Sequence, residues 1–371
     1  MAVIERVGHH ALSSEWLDRV QAQAGLPLFA RRQWLLSWAE AFPEREPWTL
    51  ALVDGPEVRA VAPLARRRVR WGFEVAPIGA NALHESPVAA CDEDALVTLG
   101  VGIGAALREL GRPWRLSLQL SKVSTLATVL AAEVPISATY PGGRRPIFRF
   151  RGDDPSPKQL LGRNTYNALA KARNRIRKEG HRLEVSWEPI SEALPELVTV
   201  HRDRDLELRG ATLDAAESRF YHQVIDGHAG YWRLLTVRID GSLAAYALCL
   251  KDCDALHVWD NRLAPGWQRY SAGLICNAEL VLRAARASAV GVVDWGCGEQ
   301  RYKMSLSNEV IDAQVLMAWS SPWLRAALAC RTITRHQLRP TSGSNARTTR
   351  VPARDSPEPS PRRDRRDRSL V

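Results

Sequence analysis

Long apolar runs, a cationic leader and paired cysteines are all missing from the 371-residue sequence. No stretch approaches about 18 uninterrupted apolar residues, so the sequence predicts no membrane span. The first ten residues lack a cationic start followed by an apolar core, and we expect no signal peptide. The six cysteines form no Cys-x-x-Cys pair, which excludes the common zinc patterns. We therefore expect a reduced, cytoplasmic protein that binds no metal.

Positive charge is concentrated at one end of the chain. Residues 335–371 carry ten arginines and four acidic residues, so this segment accounts for +6 of the net charge of +10. The rest of the chain, at about +4, does not by itself indicate a nucleic-acid partner. Residues 335–371 are also rich in Pro, Ser and Thr and poor in large apolar residues, which predicts a disordered basic tail.

Two stretches of the sequence echo each other. Residues 48–64 and 232–250 each predict a hairpin whose turn is Asp-Gly, Asp54-Gly55 in the first and Asp240-Gly241 in the second. A helix and a strand follow each hairpin, at 95–110 and 114–120 in the first half and at 274–287 and 292–295 in the second. This order predicts an α/β protein with two similar halves.

Glycine and proline at 140–143 and 152–155 predict loops and a domain boundary nearby. We accordingly divide the chain into domains at residues 1–150 and 157–325, followed by the tail.

A basic helix is predicted from Lys158 to Glu179, and its apolar stripe is narrow. Its exposed face would suit a phosphate-rich donor or RNA, or would simply be solvated.

The stretch from Val292 to Lys303 reads as a strand that ends in a glycine turn crowded with ionisable groups. Strand ends of this kind are common places for active sites. A solvated loop is the alternative.

The second half, over about residues 157–305, resembles the acetyltransferase (GNAT-like) family that includes Fem-type aminoacyltransferases and related N-acyltransferases. The matching segments occur in the family's order, and they are the basic helix at 173–183, His201-Arg-Asp-Arg204, the hairpin at 234–250 followed by Trp259-Asp260-Asn261, the loop Tyr270-Ser-Ala-Gly-Leu274, and Asp294-Trp-Gly-Cys-Gly-Glu-Gln-Arg-Tyr-Lys303. The resemblance implies an α+β mixed sheet with the GNAT fold, and two such halves in tandem, of which the first looks degenerate.

The resemblance also implies acyl transfer to an amine on a small molecule or peptide. Acyl-CoA is the leading donor. Aminoacyl-tRNA, as in the Fem-type relatives, is the alternative, which would make tRNA a partner. The donor loop keeps only one of the family's glycines, which leaves room for a tRNA or a carrier-protein thioester. A non-catalytic scaffold of the same fold is the third hypothesis.

For donor binding we select Arg269, Tyr270, Ser271 and Gly273, because a helix that begins there would present free amides to a phosphate. Asp260 and Glu299 are the candidate bases. Tyr302 and Lys303 are candidates to bind an anion or to stabilise the oxyanion.

Each candidate also has a structural alternative. Asp260 would cap the loop that begins at Asn261, and Lys303 would pair with Glu299. His201 is interpreted as a packed or surface residue. Asp294 is as suited to capping its turn as to a role in the chemistry.

Overall fold

The computed structural model describes residues 3–7, 15–79, 86–121, 124–151, 156–209, 215–227, 229–287 and 289–337. Residues 1–325 form one structural unit and residues 326–371 another. The secondary structure of the first half consists of β1 (Val3–Val7), α1 (Glu15–Gln23), α2 (Arg32–Ala41), β2 (Glu46–Pro47), β3 (Thr49–Asp54), β4 (Glu57–Ala62), β5 (Leu64–Val69), β6 (Gly72–Pro77), β7 (Ala89–Ala90), α3 (Glu93–Arg108), β8 (Trp114–Ser121), α4 (Thr125–Glu133) and β9 (Ile136–Arg149).

The second half repeats this order of a strand, two helices, a hairpin, a long helix and two further strands. Its elements are α5 (Pro157–Lys178), β10 (Leu183–Glu188), α6 (Ile190–Arg209), α7 (Ala215–Gly227), β11 (Trp232–Ile239), β12 (Ser242–Asp252), β13 (Ala255–Leu263), α8 (Ala272–Arg286), β14 (Val292–Asp294), α9 (Arg301–Ser305), β15 (Glu309–Trp319) and α10 (Pro322–Gln337). Ser156 and Gln159 form a capping box at the start of α5, with Pro157 at the first helical position, so local sequence fixes where this helix begins.

The two halves share one mixed sheet of eleven strands, in the order β10-β11-β12-β13-β14-β9-β15-β8-β6-β5-β2, beside a smaller sheet, β1-β3-β4-β7. The last strand of each half is exchanged, since β9 pairs with β14 of the second half and β15 pairs with β8 of the first. β9 and β15 also pair with each other. Each half has one parallel pair at the equivalent place, β6 with β8 and β13 with β14. The predicted α/β mixed sheet and its two tandem halves are confirmed.

The central strands of the second half are buried on both faces. Along β12, Tyr246 and Leu248 belong to a core formed with α1, α2, α6 and α7, whereas Ala247 and Cys249 belong to a core formed with α5 and α8. Such strands read as continuous apolar runs. The ring centroid of Trp34 in α2 lies 4.7 Å from that of Trp259 in β13, so aromatic packing joins the first half to the second.

The prediction of a loop at 140–143 is wrong, because strand β9 includes these residues. A register shift opposite, between Asp312 and Gln314 of β15, accommodates the Tyr-Pro-Gly-Gly segment. At Gly142 a Cβ atom would come 2.7 Å from the carbonyl carbon of Ala313, so this glycine permits close strand approach and does not mark a turn. Of the other segments predicted to lack regular structure, residues 152–155 and 338–371 lie outside the described residues.

Candidate active site

The main sheet opens between β13 and β14. These strands pair in parallel over three residues only, 255–257 against 292–294. β13 then continues to Leu263, whereas the chain after β14 stays with β9, since the Trp295 amide donates to the Pro146 carbonyl at 3.1 Å. The two parallel strands therefore diverge at their carboxyl ends, which is where open α/β sheets bind ligands.

A β-bulge in β13 lies beside this gap. Leu248 of β12 pairs with Asp260, but the next residue, Cys249, pairs with Val258, so Trp259 is an extra residue. A bulge shifts the alternation of side chains along a strand. Consequently Trp259 and Asp260, although adjacent, both face helices α2, α6 and α7.

Asp260 is held by three side chains. Its carboxylate accepts hydrogen bonds from the hydroxyls of Tyr246 (2.5 Å) and Tyr221 (3.4 Å), and Arg262 Nε lies 2.9 Å away in an ion pair. Burial, followed by the negative charge of Asp260, raises the pKa of Tyr221 and of Tyr246 well above the usual value. Both tyrosines therefore remain protonated donors to Asp260 over the physiological range of pH.

Arg262 also contacts two residues of α6. Arg262 Nη2 donates to His201 Nε2 at 2.8 Å, and Arg262 Nη1 lies 3.5 Å from the buried carboxylate of Asp205. The same His201 Nε2 atom lies 3.3 Å from the Asp205 carboxylate, so Arg262 and the buried side chains of His201 and Asp205 form one cluster. Burial alone would lower the pKa of Arg262, but the charges of Asp260 and Asp205 raise it.

Sequence reasoning missed this cluster, although His201 and Asp205 lie four residues apart in the predicted helix and Arg262 lies two residues beyond Asp260 on the strand. His201 is buried, in agreement with its interpretation as a packed residue.

The opposite face of β13 is amide-rich. Tyr302 in α9 donates its hydroxyl to Asn261 Oδ1 at 3.0 Å, and Asn261 Nδ2 donates to Asn277 Oδ1 of α8 at 3.2 Å. Burial raises the pKa of Tyr302. Tyr302 and Asn261 therefore bridge the two diverging segments on the α8 side of the sheet.

Lys303 lies half-buried on the same short helix. Its Nζ atom donates to the Cys297 carbonyl at 2.8 Å. Among the described residues no carboxylate lies within 4.0 Å of it, so the predicted alternative of a pair with Glu299 does not form. Burial lowers the pKa of Lys303. Among the described residues this ammonium has no carboxylate in contact, and the nearby charge of Asp294 only partly offsets the lowering of its pKa.

The donor loop leads into α8. Ser271 adopts a left-handed backbone, with φ of 55°, and its side chain caps none of the first amides of the helix. Residues other than glycine rarely adopt this left-handed backbone conformation. Ser271 therefore has backbone angles that glycine would adopt without strain. At Gly273 a Cβ atom would lie 3.8 Å from Leu263, which is ordinary contact. The first turn of α8 thus presents amides without a side-chain cap.

Arg269 and Tyr270 are anchored to the end of α5. Arg269 forms an ion pair with Glu179, and the Tyr270 hydroxyl donates to the same carboxylate at 2.7 Å. Arg175 donates to the Arg269 carbonyl. Hydrogen bonding from Tyr270, together with the charge of Arg269, lowers the pKa of Glu179. These contacts fix the loop that positions the start of α8.

Residues 163–304 match the acetyltransferase (GNAT) domain family. The matched segment contains α6 to α8, most of α9 and every candidate site residue named above.

Solved structures resemble the chain well beyond this matched segment. FemX superposes with a TM-score of 0.58 at 10% identity and covers 87% of this chain and 99% of its own. The C-terminal domain of a putative lysylphosphatidylglycerol synthetase from Agrobacterium fabrum gives 0.54 at 12% identity, over 86% and 95% of the two chains. A protein of unknown function from Bacteroides thetaiotaomicron gives 0.51 at 13% identity, over 86% and 100%. At these identities the likeness concerns the fold. No curated protein sequence matches the chain.

Within the matched segment, the predicted catalytic residues occupy different places. Tyr302 lies on the α8 side of the gap, and Asp260 lies on the α6 and α7 side. Lys303 contacts the Cys297 carbonyl in the segment that follows β14, and Glu299 is exposed in a pair with Arg144 (2.8 Å). Asp294 is buried, and its carboxylate accepts from the Gly296 amide at 2.9 Å, which is a turn-capping contact.

Neither a metal centre nor a membrane-spanning helix is found in the described part of the chain. No group of three or more His, Cys, Asp or Glu side chains there is arranged to hold a metal ion. None of the described helices is both long enough and apolar enough to cross a bilayer.

Proposed function

We propose that the protein transfers an acyl group from acyl-CoA to an amine and forms an amide. The observation that carries this proposal is the gap between β13 and β14, because it has different chemistry on its two faces. On one face lie the uncapped start of α8 and the hydroxyl of Tyr302, while the ammonium of Lys303 lies in the segment that follows β14. On the other lies the carboxylate of Asp260. Phosphates favour helix N-termini, and amines favour carboxylates.

The donor is assigned to the α8 face. The amides of Ala272 and Gly273 would hold its pyrophosphate, and Arg269 adds positive charge nearby. Its acyl carbonyl would enter the gap beside Tyr302 and Lys303.

The acceptor is assigned to the Asp260 face. Asp260 takes a proton from the acceptor ammonium, and the neutral amine then attacks the thioester carbonyl. A C–N bond forms, and Lys303, with Tyr302, stabilises the oxyanion that develops. The C–S bond then breaks, and the departing thiolate takes up a proton. Glu299 remains the alternative base.

The first half is proposed to shape this site without binding a donor itself. At the start of α3, the equivalent of α8, Asp92 caps the Ala95 amide at 2.8 Å, and Glu93 and Asp94 occupy the first turn. These carboxylates would repel a phosphate. The first half does reach the second, since Gln119 of β8 donates to Cys297 Sγ at 3.4 Å.

The second candidate donor is aminoacyl-tRNA. Its support is the basic face of α5, on which Arg163, Lys171 and Lys178 are all exposed, together with the fold shared with FemX. Phosphate contacts of this kind would make binding steeply dependent on salt.

The test is donor-dependent turnover with a panel of primary amines. With acetyl-CoA, the proposal expects free thiol and N-acetyl product in equal amounts, unaffected by ribonuclease. Turnover only with aminoacyl-tRNA, lost after ribonuclease treatment, would replace acyl-CoA by the second donor. Glu299→Gln and Asp260→Asn, assayed side by side, identify which carboxylate is the base. No turnover with either donor would contradict the enzymatic proposal.

A further inference from the structure

A network of hydrogen-bonded side chains lies at the donor loop. His181, in the turn between α5 and β10, has Nδ1 2.6 Å from the carboxylate of Asp240 and Nε2 2.8 Å from the hydroxyl of Tyr270. The same hydroxyl donates to Glu179 at 2.7 Å. We call these four side chains the His181 network. It connects the donor loop to the end of α5 and to the turn between β11 and β12.

The carboxylates at the two ends of the network only accept hydrogen bonds. A hydrogen bond from the Arg182 amide, followed by the one from His181, lowers the pKa of Asp240. The hydrogen bond between Tyr270 and Glu179 lowers the pKa of Glu179 and raises the pKa of Tyr270. Near neutral pH both carboxylates are therefore ionised, and Tyr270 keeps its proton.

The three links of the network require three hydrogens. Tyr270 supplies one of them, to Glu179, so both ring nitrogens of His181 have to donate, Nδ1 to Asp240 and Nε2 to the Tyr270 oxygen. Only the imidazolium form of histidine carries both hydrogens. A neutral His181 leaves one of the three links without a hydrogen, whichever nitrogen keeps its proton.

The charges around His181 come from all the elements that meet there. Besides the two carboxylates of the network, three arginines are each engaged by an acceptor, Arg269 by Glu179, Arg182 by Glu184 and Arg175 by the Arg269 carbonyl. Histidine ordinarily changes its charge between pH 5 and 8. The network is therefore complete at the acidic end of this range and lacks one link at the alkaline end.

Loss of a link weakens the hold on Tyr270, because Asp240 has other anchors. The Asp240 carboxylate accepts from the Arg182 amide at 2.8 Å, and the Asp240 amide donates to the Arg182 carbonyl at 2.9 Å. Tyr270 directly precedes Ser271, from which α8 starts. The charge of His181 therefore acts on the loop that positions the first amides of α8.

We propose that His181 is a positioning residue which, when doubly protonated, holds the donor loop in place for binding of the acyl donor. Donor affinity then falls as the pH rises from 6 to 8. The effect on affinity rests on the proposed function, which assigns the donor to the start of α8, whereas the effect on the loop does not.

The loop is tested first, by hydrogen–deuterium exchange of the full chain without a donor at pH 6 and pH 8. Each exchange rate is divided by the intrinsic rate at that pH. Peptides from residues 267–276 should be protected more at pH 6, by about two- to tenfold, the scale of one hydrogen bond. Equal protection of the wild-type loop at both pH values would overturn the proposal.

Variants assign the pH response to His181. His181→Gln should give the same protection at both pH values. Asp240→Asn keeps an acceptor for the Arg182 amide but loses the negative charge, so it should move the response to lower pH. His222→Gln changes a half-buried histidine of α7 outside the network and should respond as the wild type does. A full response in His181→Gln would refute the assignment.

Donor binding is tested next, by calorimetric titration with CoA at pH 6 and pH 8. A phosphate monoester such as that of CoA also titrates near pH 6, so the wild type is compared with His181→Gln. The ratio of affinities between the two pH values should be about two- to tenfold larger in the wild type. Equal ratios would overturn the role of His181 in donor binding. If CoA does not bind at all, the proposed donor is wrong, while the exchange experiment still decides whether His181 holds the loop.

Discussion

Replacing Lys303 by methionine removes the proposed oxyanion donor while keeping most of the side-chain volume. Loss of one such donor typically lowers turnover by about 10²- to 10³-fold, or about 2.7–4 kcal/mol of transition-state stabilisation. If Lys303 acts only after the donor is bound, the loss appears in kcat and leaves KM for the donor nearly unchanged.

The effect on stability should be small, because two contributions oppose each other. The variant loses the hydrogen bond from Nζ to the Cys297 carbonyl, and such a bond to a charged group is worth about 1.5–3 kcal/mol. It also no longer buries a charge. The lowered pKa of Lys303 shows that burial disfavours the ammonium in the folded state. We therefore expect the free energy of unfolding to change by no more than about 1 kcal/mol, within the range of ordinary substitutions.

The lowered pKa of Lys303 also predicts the direction in which stability and activity change with pH. The unfolded chain binds the Lys303 proton more tightly, so the penalty is fully present below the folded pKa and disappears as pH rises towards the ordinary value of 10.5. Activity that needs the ammonium should therefore fall on the alkaline side below pH 10.5. Lys303→Arg, which stays charged, should move that limb to higher pH.

The assay is release of free thiol from acetyl-CoA, with kcat and KM determined separately, beside unfolding in urea. An unchanged kcat in Lys303→Met would refute the assignment. A large loss of stability that accounts for the lost activity would show that the residue is structural.

Three further predictions concern the framework. Arg262→Met would leave buried carboxylates without their guanidinium, so urea unfolding should show a loss of about 3–5 kcal/mol; a loss below about 1 kcal/mol would contradict the described ion pairs. Gly142→Ala should lower the melting temperature far more than Gly230→Ala, because a Cβ at 142 meets the backbone of β15 whereas a Cβ at 230 meets no atom within 4 Å; similar shifts would argue against the close approach of β9 and β15. With iodoacetamide at pH 8, exposed Cys91 should react well before Cys276, because Cys276 is buried and its burial raises the pKa of the thiol. Peptide mapping over time measures the two rates. Reaction of Cys276 at the same rate as Cys91 would mean that α8 opens readily.

The candidate site residues could be selected before the fold was known, because they lie close to predicted secondary-structure boundaries. Asp260 ends a predicted strand, Ser271 opens a helix, and Lys303 follows a glycine turn. What these local signals lack is the side of the sheet that each residue faces. The sequence selects Asp260 and Tyr302 as candidates without assigning either of them to a face, and the bulge at Trp259 turns Asp260 to the face opposite Tyr302.

The sequence by itself determined the elements that depend on nearby residues. The capping box at Ser156 begins α5, and the repeated order of helices and strands predicts two similar halves. Asp240-Gly241 closes the second hairpin as predicted, whereas the turn of the first is Gly55-Pro56, one residue later than predicted. These features follow from hydrogen bonds and backbone angles within a few residues, so local chemistry is sufficient.

Only the tertiary structure decided how the halves join. The exchange of β9 and β15, the close approach of β9 to β15 at Gly142 and the packing of Trp34 on Trp259 all connect residues distant in the chain. Such contacts are selected by the burial of both halves against one another, and no local pattern specifies which strand completes which half. The gap between β13 and β14 is likewise a property of the whole sheet, since it opens where β14 stays with a strand from the other half.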